Sequence, residues 1–190
     1  MEHKPIEEHG HRIDTDPYFR LMANDDGVGF VQCGDGVLVL PLTAQREVLL
    51  AVERSVAFDE DVLGLVTGSV ETGEPLEETA NRELQEELGF RAERIDFLGE
   101  LHPFKYLTCR QFAFLARDLL PARLEGDEQY PVDARSVRLD QMPHLVATGE
   151  LHDALTIAVV SLAQAFLRNE MRGDTMGHDP AGSSPVRNRL

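Results

Sequence analysis

Tryptophan is absent from this chain of 190 residues, aromatic residues make up 6% of it, and cysteine occurs only twice. Neither Cys33 nor Cys109 belongs to a CxxC motif or to a Cys/His spacing, which excludes a zinc-finger type of site and predicts two buried free thiols. The seven histidines also have no metal-ligand spacing. We therefore predict that they are structural or surface residues.

The chain also lacks long apolar runs and has few basic residues. No stretch approaches the roughly 18 apolar residues that a membrane-spanning helix needs, and the first residues include no apolar targeting segment. These features predict a cytoplasmic protein without a membrane span. Lys and Arg number 18 against 34 Asp and Glu, a formal net charge of −16 that disfavours binding to duplex nucleic acid. An anionic substrate would need local basic groups or a divalent cation.

A hydrophobic content of 42% in 190 residues is enough for one domain with its own core. Polar and Gly/Pro/Ser-rich composition predicts a mobile N-terminal arm at 1–16 and a disordered tail at 170–190, around a folded domain at 17–169. Alternating patterns between turn signals predict strands at 18–22, 27–32, 36–42, 47–53, 62–66, 95–101, 111–116 and 136–139. Helices are predicted at 75–88 and 150–168. Together these elements favour an α/β fold, an α/β/α sandwich.

The first of these helices carries acidic residues at the border of its apolar stripe. On a helical wheel Glu87 falls inside the apolar sector, Glu83 on its edge and Glu86 on the same side. Most acidic runs on helices are solvated faces, but carboxylates beside a core are costly unless a positive group neutralises them. The apolar stripe consists of Leu76, Ala80, Leu84 and Leu88.

The wheel predicts that the nearest arginine cannot neutralise this acidic cluster. Arg82 can reach Glu78 or Glu86 at i±4 but is predicted to point away from Glu83 and Glu87. Clustered carboxylate oxygens on a rigid element suit Mg²⁺ or Mn²⁺, which bind substrate phosphates as well. The sequence therefore predicts a divalent-metal site on this helix.

The acidic helix belongs to a longer motif. Gly68 is followed after five residues by Glu74 and after seven more by the run 82–90, Arg-Glu-Leu-Gln-Glu-Glu-Leu-Gly-Phe. This order matches the pattern G-x5-E-x7-R-E-U-x-E-E-x-G-U, where U is apolar. A random chain of this length would contain it on the order of once in ten million.

Through this motif the chain resembles the Nudix hydrolase family. The resemblance implies a Nudix-type α/β/α sandwich with a mixed β-sheet and hydrolysis of a nucleoside diphosphate linked to another group. It further implies two or more Mg²⁺ or Mn²⁺ ions per active site. Glu83 and Glu87 match the principal metal ligands, Glu86 an additional ligand with a catalytic role, and the Gly68 carbonyl a frequent ligand. The catalytic Glu74 and Arg82 match residues that support the helix and orient those ligands.

Similarity beyond the motif covers about residues 36–168 and is greatest to the ADP-ribose pyrophosphatase and ADP compounds hydrolase (NudE-type) branch. The segments that carry it are 63–68, 80–84 and 124–128. The branch implies ADP-ribose, NADH and short diadenosine polyphosphates as substrates, and a homodimer in which N-terminal strands reach the partner's pocket.

Further candidate site residues lie outside the motif. Glu128 is predicted as the catalytic base on a downstream loop, with Glu125 as a substrate contact in the same acidic stretch, although a plain polar turn is an equal alternative. Lys105 and Tyr106 offer a cation and an aromatic face to the nucleotide, and Arg54 could reach phosphate from a strand end.

The sequence leaves three alternatives open. The substrate could be another diphosphate, such as a diadenosine polyphosphate, a nucleotide sugar or a capped RNA end. The domain could be a regulatory binder of ADP-ribose or NAD, although such binders often lose the carboxylates that this chain keeps. An isomerase of the same fold would need a nucleophilic cysteine, and neither Cys33 nor Cys109 has an electropositive context.

Overall fold

A computed structural model describes residues 18–125 and 132–173 of the chain. The predicted arm at 1–16, the greater part of the predicted tail at 170–190 and the segment 126–131 lie outside the described residues. The strands are β1 Arg20–Ala23, β2 Gly29–Gln32, β3 Gly36–Pro41, β4 Glu47–Ser55, β5 Glu60–Gly64, β6 Val66–Ser69, β7 Phe90–Leu101, β8 Gln111–Pro121 and β9 Asp133–Arg138. The helices are α1 Leu76–Glu87, α2 Met142–Thr148 and α3 Ala154–Arg172, with a 3₁₀ turn at Leu139–Gln141.

The strands form three sheets. The four-stranded sheet has the order β6-β3-β8-β7, and its β3–β8 pair is parallel while its other pairs are antiparallel. A three-stranded antiparallel sheet has the order β5-β4-β9, and β1 and β2 form a two-stranded antiparallel sheet. The predicted α/β class with a mixed sheet is confirmed.

Strand β3 runs through the centre of the core, and all six of its residues are buried. Its side chains alternate between two apolar clusters because successive residues of a strand point to opposite faces. Leu38 and Leu40 pack in the cluster that includes α3, whereas Val37 and Val39 pack in the cluster that includes α1. A helix therefore covers each face, as the predicted sandwich requires.

The structure corrects the prediction between β4 and α1. The single strand predicted at 62–66 is two strands, β5 and β6, and β6 continues to Ser69, three residues past the predicted end. Strand β6 exists because it pairs with β3, where Gly68 lies opposite Val37. This partner is distant in sequence, so local pattern could not reveal the pairing.

The last helix also differs from its prediction. Helix α3 begins at Ala154 rather than at 150, since the side chain of Asp153 accepts a hydrogen bond from the Thr156 N–H and caps the helix. It continues to Arg172, three residues past the predicted domain end at 169, and ends at Gly173 with a φ of 76°. Among the described residues, no helix is long and apolar enough to cross a membrane.

Asn81 joins α1 to the sheet, and its removal gives a testable stability change. Its Oδ1 accepts from the Ala92 N–H at 2.8 Å, and its Nδ2 donates to the Ala92 carbonyl at 3.3 Å. Because Asn81→Ala leaves both backbone groups of buried Ala92 without these partners, we expect a loss of about 1–3 kcal/mol in the free energy of unfolding. Urea denaturation measures it, with the exposed Glu78→Ala as control. Equal stability of the two variants would contradict the prediction.

Candidate active site

The loop between β6 and α1 brings the backbone of Gly68 against a carboxylate of the helix. Gly73, with a φ of 85°, turns the chain, and Pro75 precedes the first residue of α1. A Cβ built on Gly68 would lie 1.8 Å from Cδ and 2.0 Å from Oε1 of Glu83. Only a residue without a side chain allows this approach.

Arg82 lies at the centre of an ion-pair network on α1. Its Nε donates to Glu74 Oε1 at 3.0 Å, and its Nη1 donates to Glu83 Oε1 at 2.8 Å and to Glu86 Oε2 at 3.1 Å. The prediction that Arg82 points away from Glu83 is therefore wrong, because the long side chain folds across the helix surface. Of the two partners predicted at i±4, Glu78 or Glu86, the structure shows the ion pair with Glu86.

Glu74 braces the network from the loop before the helix. The Thr79 hydroxyl donates to its Oε2 at 2.9 Å, while Arg82 donates to both of its oxygens. The hydrogen bond from Arg82 holds the pKa of Glu74 below its usual range, and the same bond raises the pKa of Arg82. Both groups are consequently charged at neutral pH.

Glu83 and Glu87 face the protein interior, as the helical wheel predicted. They are 6% and 2% exposed, and they lie one helical turn apart beside the fully buried Leu84. The Thr67 N–H of strand β6 donates to Glu87 Oε1 at 3.0 Å, which fixes that carboxylate against the strand. Two carboxylates are thus held at the junction of α1 and β6, where Gly68 lies.

The donors at this junction fit a hard divalent cation. Glu83, Glu86 and Glu87 provide carboxylate oxygens, and Mg²⁺ is usually bound by one or two carboxylates with waters and substrate phosphates. Within the described ranges, no three acidic, thiol or imidazole side chains already converge as a complete metal site. Arg82 now contacts Glu83 and Glu86, so these carboxylates would exchange part of that contact for the cation. The role of the Gly68 carbonyl as a ligand stays a prediction.

The predicted substrate contacts outside the motif lie on the β7–β8 loop and at the end of β4. Lys105 Nζ stands 4.9 Å from the centroid of the Tyr106 ring, on the loop between β7 and β8. The Tyr106 carbonyl accepts a hydrogen bond from Val31 N–H, which connects this loop to β2. Arg54 forms ion pairs with Asp59 and Asp61 of its own hairpin. The roles of Lys105, Tyr106 and Arg54 stay predictions.

The predicted catalytic loop begins beside α1. The Leu124 N–H donates to the Gln85 carbonyl at 3.2 Å, and the next residue, Glu125, is exposed. Glu128 lies outside the described residues. The acidic stretch therefore starts next to the helix that carries the carboxylates, and the roles of Glu125 and Glu128 stay predictions.

Both cysteines are free, Cys109 is buried and Cys33 is half-buried. Burial raises the pKa of the Cys109 thiol to about 11, which keeps it protonated at neutral pH. This is the opposite of what a nucleophilic cysteine needs. At Cys33 burial acts in the same direction, but hydrogen bonds with Cys109 and Thr108 outweigh it and lower the pKa of the thiol, so the two thiols do not decide the isomerase alternative.

Sequence reasoning missed a cleft of about 380 Å³ beside the start of α3. Thr67, whose N–H binds Glu87, is one of its lining residues. No local sequence motif predicts the cleft, because it forms where the start of α3 packs against strands from the first half of the chain. We call it the α3 cleft; it is lined by Leu38, Glu53, Ser55, Phe58, Val62, Leu63, Gly64, Leu65, Thr67, His152, Asp153, Ala154, Leu155 and Thr156.

Gly68→Ala tests the close approach at the junction. The added methyl group would overlap the carboxylate of Glu83 and displace it from its position beside β6. We expect kcat to fall on the order of 100-fold, as when a supporting group around a metal or an oxyanion is lost. Steady-state kinetics measures the fall, and Gly34→Ala, whose Cβ meets nothing within 4 Å, is the control. Full activity of Gly68→Ala would show that the approach has no role.

Comparison with known proteins places these observations in context. A family model described as NUDIX domain matches residues 34–159. The chain is 30% identical over 139 residues to the ADP compounds hydrolase NudE of Escherichia coli (strain K12), covering 73% of this chain and 74% of that protein. It is 29% identical over 136 residues to the ADP-ribose pyrophosphatase of Bacillus subtilis (strain 168), covering 67% and 71%. A crystal structure of ADP compounds hydrolase superposes with a TM-score of 0.69 at 26% identity, covering 87% of this chain and 94% of that one.

Proposed function

Because the chain belongs to the NUDIX family, we propose that it is a divalent-metal-dependent pyrophosphohydrolase that cleaves the diphosphate of ADP-containing nucleotides. The substrates we propose are ADP-ribose, NADH and short diadenosine polyphosphates. Relatives named ADP compounds hydrolase and ADP-ribose pyrophosphatase support this substrate class. The observation that carries the proposal is the pair of buried carboxylates, Glu83 and Glu87, held against β6 beside Gly68.

Glu83, Glu86, Glu87 and the Gly68 carbonyl would hold Mg²⁺ or Mn²⁺, two or more ions when substrate is bound. Such ions neutralise a diphosphate and lower the pKa of the attacking water. The protein's own contribution is positional. The Thr67 N–H orients Glu87, and Arg82, itself anchored by Glu74, holds Glu83 and Glu86 at one end of the cluster.

Proton removal from the attacking water needs a base close to the cluster. We assign this role to Glu128, with Glu125 as a substrate contact. The hydrogen bond between Leu124 N–H and the Gln85 carbonyl supports the assignment. It joins the first residue of the acidic stretch to α1, the helix that bears the proposed metal ligands. An assay of Glu128→Gln tests it, and unchanged kcat between pH 6 and 9 would reject Glu128 as the base.

The remaining contacts would come from outside the motif. Lys105 would bind phosphate and Tyr106 would stack on a ring, since the two already form a cation–π pair with an exposed aromatic face. Arg54 would have to release Asp59 or Asp61 to reach a phosphate. A rise in KM at nearly constant kcat in Lys105→Met would support binding by this loop, and no change would oppose it.

We also propose that the protein is a cytoplasmic homodimer. The hairpin of β1 and β2 forms a sheet of its own, joined to the β7–β8 loop by the bridge between Val31 and Leu107, and it exposes a group of large apolar side chains that a second copy could cover. Sedimentation velocity tests the dimer, and a monomer at micromolar concentration would reject it. The apolar side chains are Tyr18, Phe19, Leu21, Met22 and Val28, which are 41–84% exposed.

The proposed activity is tested with a substrate panel. Purified protein and Mg²⁺ are incubated with ADP-ribose, NADH, diadenosine triphosphate and a sugar nucleotide, and the products are identified by chromatography. The proposal expects AMP from ADP-ribose or NADH at higher kcat/KM than any product from the sugar nucleotide. A preference for the sugar nucleotide would reject the assignment to ADP compounds. The protein would then be a diphosphate hydrolase with a different substrate.

A further inference from the structure

The two cysteines of the chain lie side by side, where the chain before β3 runs along the end of the β7–β8 loop. Val31 and Leu107 form a parallel bridge between these two segments. Two residues further along each segment are Cys33 and Cys109. Because alternate residues of a strand share a face, the bridge places both cysteine side chains on the same side of this pairing.

Contacts between the two segments hold the cysteines at this spacing. The Thr108 hydroxyl accepts a hydrogen bond from the Cys33 N–H and donates one to the Cys33 carbonyl, both at 3.0 Å. The thiols of Cys33 and Cys109 are hydrogen-bonded to each other. Neighbouring strands lie about 4.7–4.9 Å apart, within the range of about 4.4–6.8 Å that separates the Cα atoms of disulfide-bonded cysteines. A disulfide therefore needs only a short approach of the two sulfurs.

The surroundings give the two thiols different reactivities. Burial raises the pKa of Cys33, but hydrogen bonds with Cys109 and Thr108 outweigh it and lower the pKa of this thiol. Burial raises the pKa of Cys109 to about 11, so this thiol stays protonated. Cys33 is also half-buried, whereas Cys109 is buried. Since the thiolate is the form that reacts with oxidants, Cys33 is the thiol that a small oxidant attacks first.

We infer that Cys33 and Cys109 are a peroxide-sensitive pair that forms a reversible disulfide between the chain before β3 and the β7–β8 loop. The Cys33 thiolate attacks one oxygen of hydrogen peroxide, the O–O bond breaks, and a sulfenic acid and hydroxide form. The hydroxide takes up the proton that Cys33 released and becomes water.

The second step closes the disulfide. The Cys109 sulfur attacks the Cys33 sulfur, the S–O bond breaks, and the thiol proton leaves with the hydroxide as water. Two thiols and one hydrogen peroxide thus give one disulfide and two waters, with the sulfurs oxidised and the peroxide oxygens reduced. A small dithiol reverses the reaction by thiol–disulfide exchange.

The disulfide would restrain the part of the β7–β8 loop that precedes Cys109. Lys105 Nζ lies 4.9 Å from the centroid of the Tyr106 ring, and the centroid of the Phe104 ring lies 5.4 Å from the same point. A nucleotide that stacks on Tyr106 must displace one of these neighbours, so the loop has to move. A crosslink close to Tyr106 in the chain opposes that movement. This consequence rests on the proposed function, since it takes Tyr106 as a substrate contact.

Treatment with hydrogen peroxide tests the disulfide. Free thiols, counted in the denatured protein with a chromogenic thiol reagent, should fall from two per chain to none. The mass of the chain should fall by two hydrogen atoms, and denaturing electrophoresis without reductant should show a single chain. Dithiothreitol should restore both thiols. A disulfide between two chains, or oxidation to sulfinic acid with no disulfide, would overturn the inference.

Single variants test the order of the two steps. Cys109→Ala keeps the reacting thiol without its partner and should accumulate a sulfenic acid at Cys33, which dimedone traps. Cys33→Ser should lose thiol to peroxide roughly 10-fold more slowly than the wild type, because the remaining thiol is buried and protonated. This second comparison leaves the buried position unchanged. Equal rates in Cys33→Ser and the wild type would overturn the role of Cys33.

Steady-state kinetics of the reduced and the oxidised wild type measures the restraint of the loop. We expect oxidation to raise KM for ADP-ribose severalfold at nearly constant kcat, and dithiothreitol to restore KM. Cys33→Ser exposed to the same peroxide is the control and should keep its KM. Equal KM values of the two wild-type forms would overturn the restraint. No hydrolysis by the reduced wild type would instead overturn the proposed function, and the thiol count would still decide the disulfide.

Discussion

Glu87→Gln is expected to lower kcat for ADP-ribose by on the order of 100- to 1,000-fold while leaving the protein folded. Glutamine keeps the oxygen that accepts from the Thr67 N–H but removes the negative charge that a cation would bind. Loss of one preorganised electrostatic contact at a reaction centre has this size of effect. The side chain is 2% exposed, so the same change removes a buried charge and should not lower the Tm greatly.

The matched control is Glu77→Gln, the same substitution at an exposed position of the first turn of α1. It changes the net charge equally but lies outside the carboxylate cluster, so its kcat should stay within about twofold of the wild type. Steady-state kinetics at saturating Mg²⁺ compares the variants. If Glu87→Gln and Glu77→Gln had equal activity, Glu87 would not be a metal ligand.

Arg82→Met is expected to have the largest effect on stability. Arg82 neutralises Glu74, Glu83 and Glu86, whose side chains are 18%, 8% and 15% exposed. Removing one partner of a buried ion pair costs about 3–5 kcal/mol, and a quarter-exposed arginine should cost somewhat less, about 2–4 kcal/mol. Urea denaturation at pH 7 without divalent metal measures this difference.

The pH dependence of that difference gives an independent check. Because the pKa of Glu74 is lowered in the folded protein, its contribution to stability is present above its unfolded pKa and is lost as the pH falls through the folded value. The gap in stability between wild type and Arg82→Met should therefore narrow in acid. Arg168→Met, at an exposed position of α3, should show little change at either pH. A gap that widens in acid would contradict the ion-pair account.

The buried stripe of α1 was predictable from the sequence because helical periodicity is a local property. Ala80 and Leu84 are fully buried, and Glu83 and Glu87 lie beside them as the wheel placed them. The position of the Arg82 guanidinium was not predictable in this way. A wheel gives the direction of Cβ, whereas a long arginine side chain can fold back to reach a neighbour.

Features that depend on contacts between residues far apart in the chain could not be predicted from the sequence. Strand β6 forms because β3 lies beside it, and the α3 cleft forms because Thr156 packs near Gly64, which is 92 positions earlier in the chain. The motif residues do lie together, since the Gly68 backbone approaches Glu83 and Arg82 bonds to Glu74, Glu83 and Glu86, while their catalytic and metal-binding roles stay predictions. The resemblance to a known family gave no information on the cleft, whose lining belongs to no motif.

The most direct test of the central claim is AMP release from ADP-ribose by the wild-type protein, measured with Mg²⁺ and again with excess EDTA. The account predicts one AMP and one ribose 5-phosphate per ADP-ribose with Mg²⁺, and no products once the metal is removed. Tight binding of ADP-ribose with no turnover in either Mg²⁺ or Mn²⁺ would contradict it, and the protein would then be a nucleotide-binding domain rather than a hydrolase.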